Sequence, residues 1–390
     1  MTQIRFLFYV ILVLALIARH TLEAAPPNLT RVAPVDVGFN SVKLAEIDGV
    51  VEQALAEKKM PGCVVAIGRR DRLVIVKAFG QRQLEPCSEA MTTDTIFDLA
   101  SLTKPIATAT SIMLLIERGK LRLDDPVTKH WPEFAENGKE KISVEHLLTH
   151  TGGLIADNRI ADYLQGPEKA WSNIASLKPL AEPNVKFTYS DVGFEVLGKL
   201  VENISEFSVA EFAKTNVFDP LGMSETDYKP KPELRLRIAP TEKRNGEFIR
   251  GEVHDPRAHL LGGIAGHAGL FSTVEDLAKY AAAMVMKGQL GETRIMSEVT
   301  WTEMTRPRNV PSGKRALGWD MKTGYSSNRG TTMSDHAFGH GGFTGTAIWI
   351  DPDTGLFVIF LSNRVHPDGK GSVNPLAGRI GTIAADAIQR

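Results

Sequence analysis

The chain has 390 residues, of which 43% are hydrophobic and 23% charged, and its formal net charge is -1. This composition excludes a disordered, collagen-like or small disulfide-stapled chain and leaves room for a full-sized enzyme, either as two or three domains or as one large domain with an inserted lobe. The near-zero charge, with no run of five or more like charges, argues against nucleic-acid binding and against a polybasic membrane anchor, and points to a small or neutral partner.

The first residues read Met1-Thr-Gln-Ile-Arg5, then an unbroken apolar run from Phe6 to Ala18, then a polar stretch ending in Leu22-Glu23-Ala24-Ala25. A short basic start, an apolar run too brief for a comfortable membrane span and small residues at the end predict a cleaved signal peptide over 1–24. The mature protein is then expected outside the cytoplasm, periplasmic or extracellular, with no stable membrane span after cleavage. Such a compartment permits a disulfide between Cys63 and Cys87 but does not require one, and two cysteines in a chain this long are read as free.

Residues 25–40, rich in proline and polar side chains, read as an extended lead-in. Leu44, Ile47, Val50, Val51 and Leu55 then recur at helical spacing, with Ser41 placed as a cap. Two β-branched runs, Cys63 to Gly68 and Leu73 to Phe79, joined by the charged turn Arg69 to Arg72, predict a hairpin. A helix follows over Ile106 to Glu117, with Ser101 and Lys104 in its N-terminal turn. From about Leu121 to Leu261 there are helical segments and no comparable strand runs, which predicts a helical lobe over 121–264 inserted into a sheet lobe of 41–120 and 265–390. Ser272-Thr-Val-Glu275 has capping-box spacing before a helix over Asp276 to Met286. The chain closes with a strand from Thr346 to Ile350, a turn at Asp351-Pro-Asp-Thr-Gly355, a strand from Leu356 to Leu361 and a helix from about Pro375 to Ile388. The expected fold class is therefore α/β (α+β): an antiparallel sheet built from both ends of the chain, flanked by helices, with an inserted all-helical lobe.

A serine hydroxyl is a poor nucleophile at neutral pH and needs a base within hydrogen-bond reach. In Ser101-Leu-Thr-Lys104 the lysine lies on the same helical face one turn on. Burial and a second cation would depress its pKa and let it accept a proton, and the helix N-terminus aims backbone N–H groups at developing negative charge. About one such serine-lysine match is expected by chance in a chain this long, so the spacing alone decides little.

Its surroundings decide more. Phe97-Asp-Leu-Ala-Ser-Leu-Thr-Lys104, His146-Leu-Leu-Thr-His-Thr-Gly-Gly-Leu154, Phe187-Thr-Tyr-Ser-Asp-Val-Gly-Phe194 and Phe338-Gly-His-Gly-Gly-Phe-Thr-Gly345 occur in this order and at wide spacing. Together, from roughly Leu44 to the C-terminus, they resemble the serine β-lactamase-like family: class C β-lactamases, low-molecular-mass penicillin-binding proteins and related esterases. The resemblance implies one β-lactamase-related domain over 41–390, of the β-lactamase/transpeptidase-like fold, with the active site in the cleft between sheet and helical lobe. It implies Ser101 as nucleophile, Lys104 as its partner and Tyr189 as the phenol that shuttles a proton to the leaving group. A phenol held near cations can have its pKa lowered enough to act as a base. Asp191 stands where the family usually has asparagine; its charge favours a protonated Lys104, which makes Tyr189 the better base of the two.

The third motif has a decoy. Lys322-Thr-Gly324 matches the family's lysine-threonine-glycine string better than His340-Gly-Gly342 does, but only the latter runs into an apolar strand, a turn and a second strand, so His340 and Gly342 are assigned to the strand lining the pocket. By the same alignment the backbone N–H of Phe343 completes an oxyanion hole with that of Ser101. Histidine instead of a permanent cation weakens the case for a dedicated β-lactamase.

His146 with His150, and His254-Asp255 with His259 and His267, invite a zinc reading, but no glutamate follows His146 and the metalloprotease motif is absent. Gly262-Gly263 and Gly266-His267-Ala-Gly269 read instead as a loop rimming the cleft. The sequence thus predicts an exported serine hydrolase that needs neither cofactor nor metal and acts through an acyl-enzyme on a small-molecule or peptidoglycan-derived acyl substrate. An esterase or D-alanyl-D-alanine carboxypeptidase-like activity is favoured over a β-lactamase, and over a non-catalytic protein that binds penicillin or peptidoglycan fragments in the envelope.

Overall fold

In the computed structural model, residues 26–389 are described; the expected signal peptide lies outside them. No helix among the described residues is long and apolar enough to cross a membrane. The centre is a ten-stranded sheet: β1 (Thr30–Arg31), β2 (Gly62–Arg69), β3 (Arg72–Gln83), β4 (Glu89–Ala90), β5 (Arg308–Val310), β6 (Gly313–Arg315), β7 (Asp320–Lys322), β8 (Phe338–Gly342), β9 (Thr346–Asp351) and β10 (Leu356–Ser362), in the order β1-β3-β2-β10-β9-β8-β7-β6-β5, with β4 on β3. Every pairing is antiparallel except β1 with β3. As the sequence predicts, the sheet is closed from both ends of the chain, with Ile359 of β10 opposite Ala66 of β2.

The middles of β2, β9 and β10 are apolar because both faces are covered. Along β10, Phe357, Ile359 and Leu361 face one core, and Leu356, Val358 and Phe360 face the other. The second core is covered by α1 (Ser41–Ala56) and the C-terminal helix α5 (Asn374–Asp386), through Leu44, Ile47, Val51, Ile380 and Ala384. Over the first pack α2 (Thr110–Glu117), α3 (Asp191–Ser205) and α4 (Val274–Val285), with Ile112, Met113, Leu197, Leu277 and Ala281 in one continuous apolar cluster. Deleting one such large side chain to alanine costs about 2–5 kcal/mol.

Local details depart from the sequence reading. Asn40, not Ser41, caps α1, its Oδ1 accepting from the N–H groups of Val42 and Lys43 at 3.0 and 3.1 Å. Thr273, not Ser272, caps α4 by accepting from Asp276 N–H, so the cap is shifted by one residue and the reciprocal bond of a capping box is not formed. The lead-in is not merely extended, since Thr30 and Arg31 add an edge strand beside Arg72 and Leu73. The stretch from 121 to 264 is mainly helical but holds a small hairpin, Lys243–Arg244 with Glu247–Phe248. Strands this short carry no readable alternation.

Candidate active site

Ser101 sits on a short turn of 3-10 helix, Ala100–Leu102, ahead of α2. The turn is held from three sides. Ala100 adopts a left-handed φ of 46°, a strained conformation for a residue with a Cβ, and its N–H donates to Asp98 Oδ1 at 2.8 Å. Leu99 N–H donates to Leu270 O, and the Thr344 and Thr346 hydroxyls donate to the carbonyls of Asp98 and Leu99 at 2.7 and 3.0 Å. The serine is thereby fixed against the hairpin of β8 and β9. Gly342 is the point of closest approach: a Cβ there would stand 2.4 Å from Leu99 O and 2.1 Å from Thr346 Oγ1, so only glycine fits.

Lys104, fully buried, follows one turn later and directs its ammonium at three acceptors: Ser101 Oγ at 3.0 Å, the His267 carbonyl at 3.0 Å and Asp191 Oδ1 at 2.5 Å. Burial alone would pull its pKa down, as the sequence suggested, but the Asp191 carboxylate and the Tyr189 oxygen outweigh burial and push it above the ordinary lysine value. The ammonium form is the resting one. With all three N–H groups engaged outward, the amine is set as a donor to Ser101 rather than as its base.

Tyr189 and Asp191 are brought to this point by the N-terminus of α3. Ser190 caps the helix, its Oγ accepting from Gly193 N–H at 3.0 Å, while its own N–H donates to His150 Nδ1 at 3.0 Å. The Tyr189 ring lies 5.0 Å from Lys104 Nζ and packs on His150, Tyr325 and His340, with ring centroids 4.5, 5.0 and 5.9 Å away. Its pKa is raised, not lowered. Burial is the largest cause; Lys104 opposes it, Asp191 adds to it, and interactions with Ser101 and Lys104 recover only part. The direction is opposite to the sequence expectation of a phenol made basic by cations, because burial outweighs the Lys104 cation and Asp191 adds to burial.

His340 lies on β8 opposite Ile348, lines the cavity and donates through Nδ1–H to Gly341 O at 2.7 Å. Burial first, then Arg315 and Lys104, hold it well below the ordinary histidine value, so it is neutral. Lys322 is exposed at the end of β7 and does not line the cavity. Phe343 stands exposed at the rim, stacked on His254 with Arg364 over its other side. The structure thus gathers Ser101, Tyr189, Asp191, His340, Gly342 and Phe343 around a single cavity of about 630 Å³, with Lys104 buried behind Ser101 and Asp191.

The other histidines have structural partners. His146 Nδ1 accepts from Ser143 N–H and its Nε2 meets Asn184. His267 is wedged between Asp255 Oδ1 at 2.9 Å and Glu195 Oε1 at 3.4 Å. Asp191, Asp255 and His267 do place ligand atoms within 4.8 Å of one another, but the Lys104 ammonium already occupies the Asp191 carboxylate there. Of the glycine segments, His267 and Ala268 line the cavity and Gly262-Gly263 do not. Sequence reasoning missed Arg315, a fully buried cation on β6 that also lines the cavity; no local pattern announces it. Both cysteines are free, Cys63 buried and Cys87 exposed.

The sequence and the fold are matched by known proteins. The family model described as Beta-lactamase matches residues 47–381, and the chain belongs to that family of serine hydrolases. A Salmonella agona (strain SL483) protein named as a D-alanyl-D-alanine carboxypeptidase is 31% identical over 387 residues, covering 90% of this chain and 89% of that one. A penicillin-binding protein homologue from Caulobacter crescentus superposes with a TM-score of 0.71 at 20% identity, over 90% of this chain and 99% of that one. EstCE1, a hydrolase with promiscuous acyltransferase activity, superposes with a TM-score of 0.70 at 22% identity, over 89% and 98% of the two chains.

Proposed function

We propose that the protein is an exported serine hydrolase that transfers the acyl group of an ester or amide to Ser101 and then to water, with esterase or D-alanyl-D-alanine carboxypeptidase-like specificity. The observation that carries this reading is the Lys104 ammonium donating to Ser101 Oγ at 3.0 Å beside the Tyr189 phenol. Because Lys104 is a donor, the Ser101 proton is free to point to Tyr189.

In the first step Ser101 Oγ bonds to the carbonyl carbon while its proton passes to Tyr189, and Tyr189 hands its own proton to the departing oxygen or nitrogen as that bond breaks. A neutral phenol can do this as a relay, with no resting base required. Lys104 holds the serine oxygen and compensates its developing charge, and the N–H groups of Ser101 and Phe343 receive the carbonyl oxygen. In the second step water repeats the sequence in reverse: its proton travels through Tyr189 to Ser101 as the acyl-oxygen bond breaks. Residues 1–24 direct export. The peptidase half of the reading is supported by the carboxypeptidase name of the Salmonella relative, and the acyl-transfer chemistry by the likeness to EstCE1, a hydrolase with promiscuous acyltransferase activity.

A panel of short-chain p-nitrophenyl esters, D-alanyl-D-alanine peptides and a chromogenic cephalosporin tests the assignment. The expected result is turnover of the esters or peptides with a kcat/KM at least about tenfold above that for the cephalosporin. Cephalosporin turnover as the fastest reaction would identify a β-lactamase instead, and no turnover of any member would leave a binding protein.

A further inference from the structure

Asp98 is buried and does not line the cavity, yet it holds three segments that surround it. Its Oδ1 accepts the Ala100 N–H at 2.8 Å, its Oδ2 accepts the His254 N–H at 2.7 Å, and its backbone carbonyl accepts the Thr344 hydroxyl at 2.7 Å. Ala100 precedes Ser101, Thr344 follows Phe343, and the His254 ring stacks on the Phe343 ring with centroids 5.6 Å apart. The two backbone N–H groups assigned to the substrate carbonyl oxygen, those of Ser101 and Phe343, are thus tied to one residue that stands behind both. The Ala100 contact carries a conformational load. A φ of 46° is disfavoured by a Cβ and persists only where the surroundings over-determine it, whereas glycine adopts it freely. Burial pushes the Asp98 carboxyl up, and the His254 and Ala100 N–H groups are the first influences that hold it down.

We infer that Asp98 is a positioning residue for the oxyanion hole: its carboxylate holds Ala100 in the left-handed turn and so keeps the Ser101 N–H aligned with that of Phe343. The inference rests on the acyl-transfer reading above, in which those two N–H groups receive the carbonyl oxygen. Donors fixed before the reaction stabilise the oxyanion more than the ground-state carbonyl, so loss of their alignment acts on kcat rather than on KM. Asparagine keeps the shape of the side chain but has one oxygen where aspartate has two; it accepts one of the two N–H groups and turns its own NH2 towards the other.

The test measures kcat and KM on a p-nitrophenyl ester for Asp98→Ala and Asp98→Asn, each made in the wild-type chain and again in an Ala100→Gly background. Asp98→Ala is expected to lower kcat by about a hundredfold with KM within about threefold, the scale of a displaced oxyanion donor. With glycine at position 100 the turn keeps its φ without the carboxylate, and the same change is expected to lower kcat by at most about tenfold. Asp98→Asn covers a failure of the alanine variant to fold; it is expected to lose about tenfold in kcat, shrinking to within about threefold in the glycine background. A kcat unmoved in both single variants, a rise in KM at constant kcat, or a loss of equal size in the two backgrounds overturns the inference and leaves acyl transfer standing. No hydrolysis of the ester by wild type, with Ser101 unlabelled by a fluorophosphonate, removes the acyl-transfer reading and the inference with it.

Discussion

Lys104 and Asp191 form a buried ion pair, Nζ to Oδ1 2.5 Å, at the floor of the cleft directly beneath Ser101. The pair fixes the resting proton inventory of the site: an ammonium on Lys104 and a phenol on Tyr189, both with pKa raised. In a family where asparagine usually stands at this point, the carboxylate turns the lysine from a candidate base into a fixed cation.

Asp191→Asn removes the main group that holds Lys104 protonated, while burial, which favours the neutral amine, remains. The Lys104 pKa therefore falls. Since the relay uses the ammonium form, activity should be lost as pH rises through that lower value, moving the alkaline limb of kcat/KM down by at least about one unit. A variant that gains activity at neutral pH would instead make neutral Lys104 the base.

Tyr189→Phe removes the relay proposed between Ser101 and the leaving group and leaves the ring packing on His150 and Tyr325 in place. We expect kcat to fall by about a hundredfold or more with KM little changed, the scale of a lost general acid-base group. Steady-state kinetics on a p-nitrophenyl ester reads this directly; retention of kcat within about threefold would show that the proton takes another path.

The wedge of His267 between Asp255 and Glu195 couples stability to pH. Burial alone would lower His267, but the Asp255 carboxylate, then Glu195 and Asp191, lift it to about 9 from 6.5. A raised cationic group stabilises the fold fully below its unfolded value, about pH 6.5, and that contribution is lost as pH rises through about 9. For a fully buried imidazolium it is on the order of 3 kcal/mol. Urea unfolding from pH 6 to 10 should show wild type losing stability relative to His267→Gln by roughly this amount, and parallel profiles would contradict it.

Much of this was legible in the sequence, for identifiable reasons. The central strands announce themselves because both faces of β2, β9 and β10 are buried, so each carries an apolar run between its polar or small end residues. Ser101 and Lys104 were readable because one helical turn relates them, and His340 was separable from Lys322 because only the former leads into a strand pair. Asp191 was readable as a partner of Lys104, but its effect on Tyr189 was not, since burial together with Lys104, Asp191 and Ser101 fixes that sign. Arg315 lay beyond reach: it comes to the cavity only through the pairing of β6 with β7 and β7 with β8, and sequence spacing does not encode that. The caps at Asn40 and Thr273 were each misplaced by one residue, because neighbouring polar residues are equally good caps until the backbone angles choose.

In the proposed reaction Ser101 is the group that becomes acylated. Intact-mass measurement and peptide mapping after incubation with a fluorophosphonate should show a single adduct, located on Ser101, and none in Ser101→Ala, which should also lose p-nitrophenyl ester hydrolysis by a factor of about a thousand or more. An adduct on another residue, or Ser101→Ala hydrolysing the ester at the wild-type rate, would contradict it.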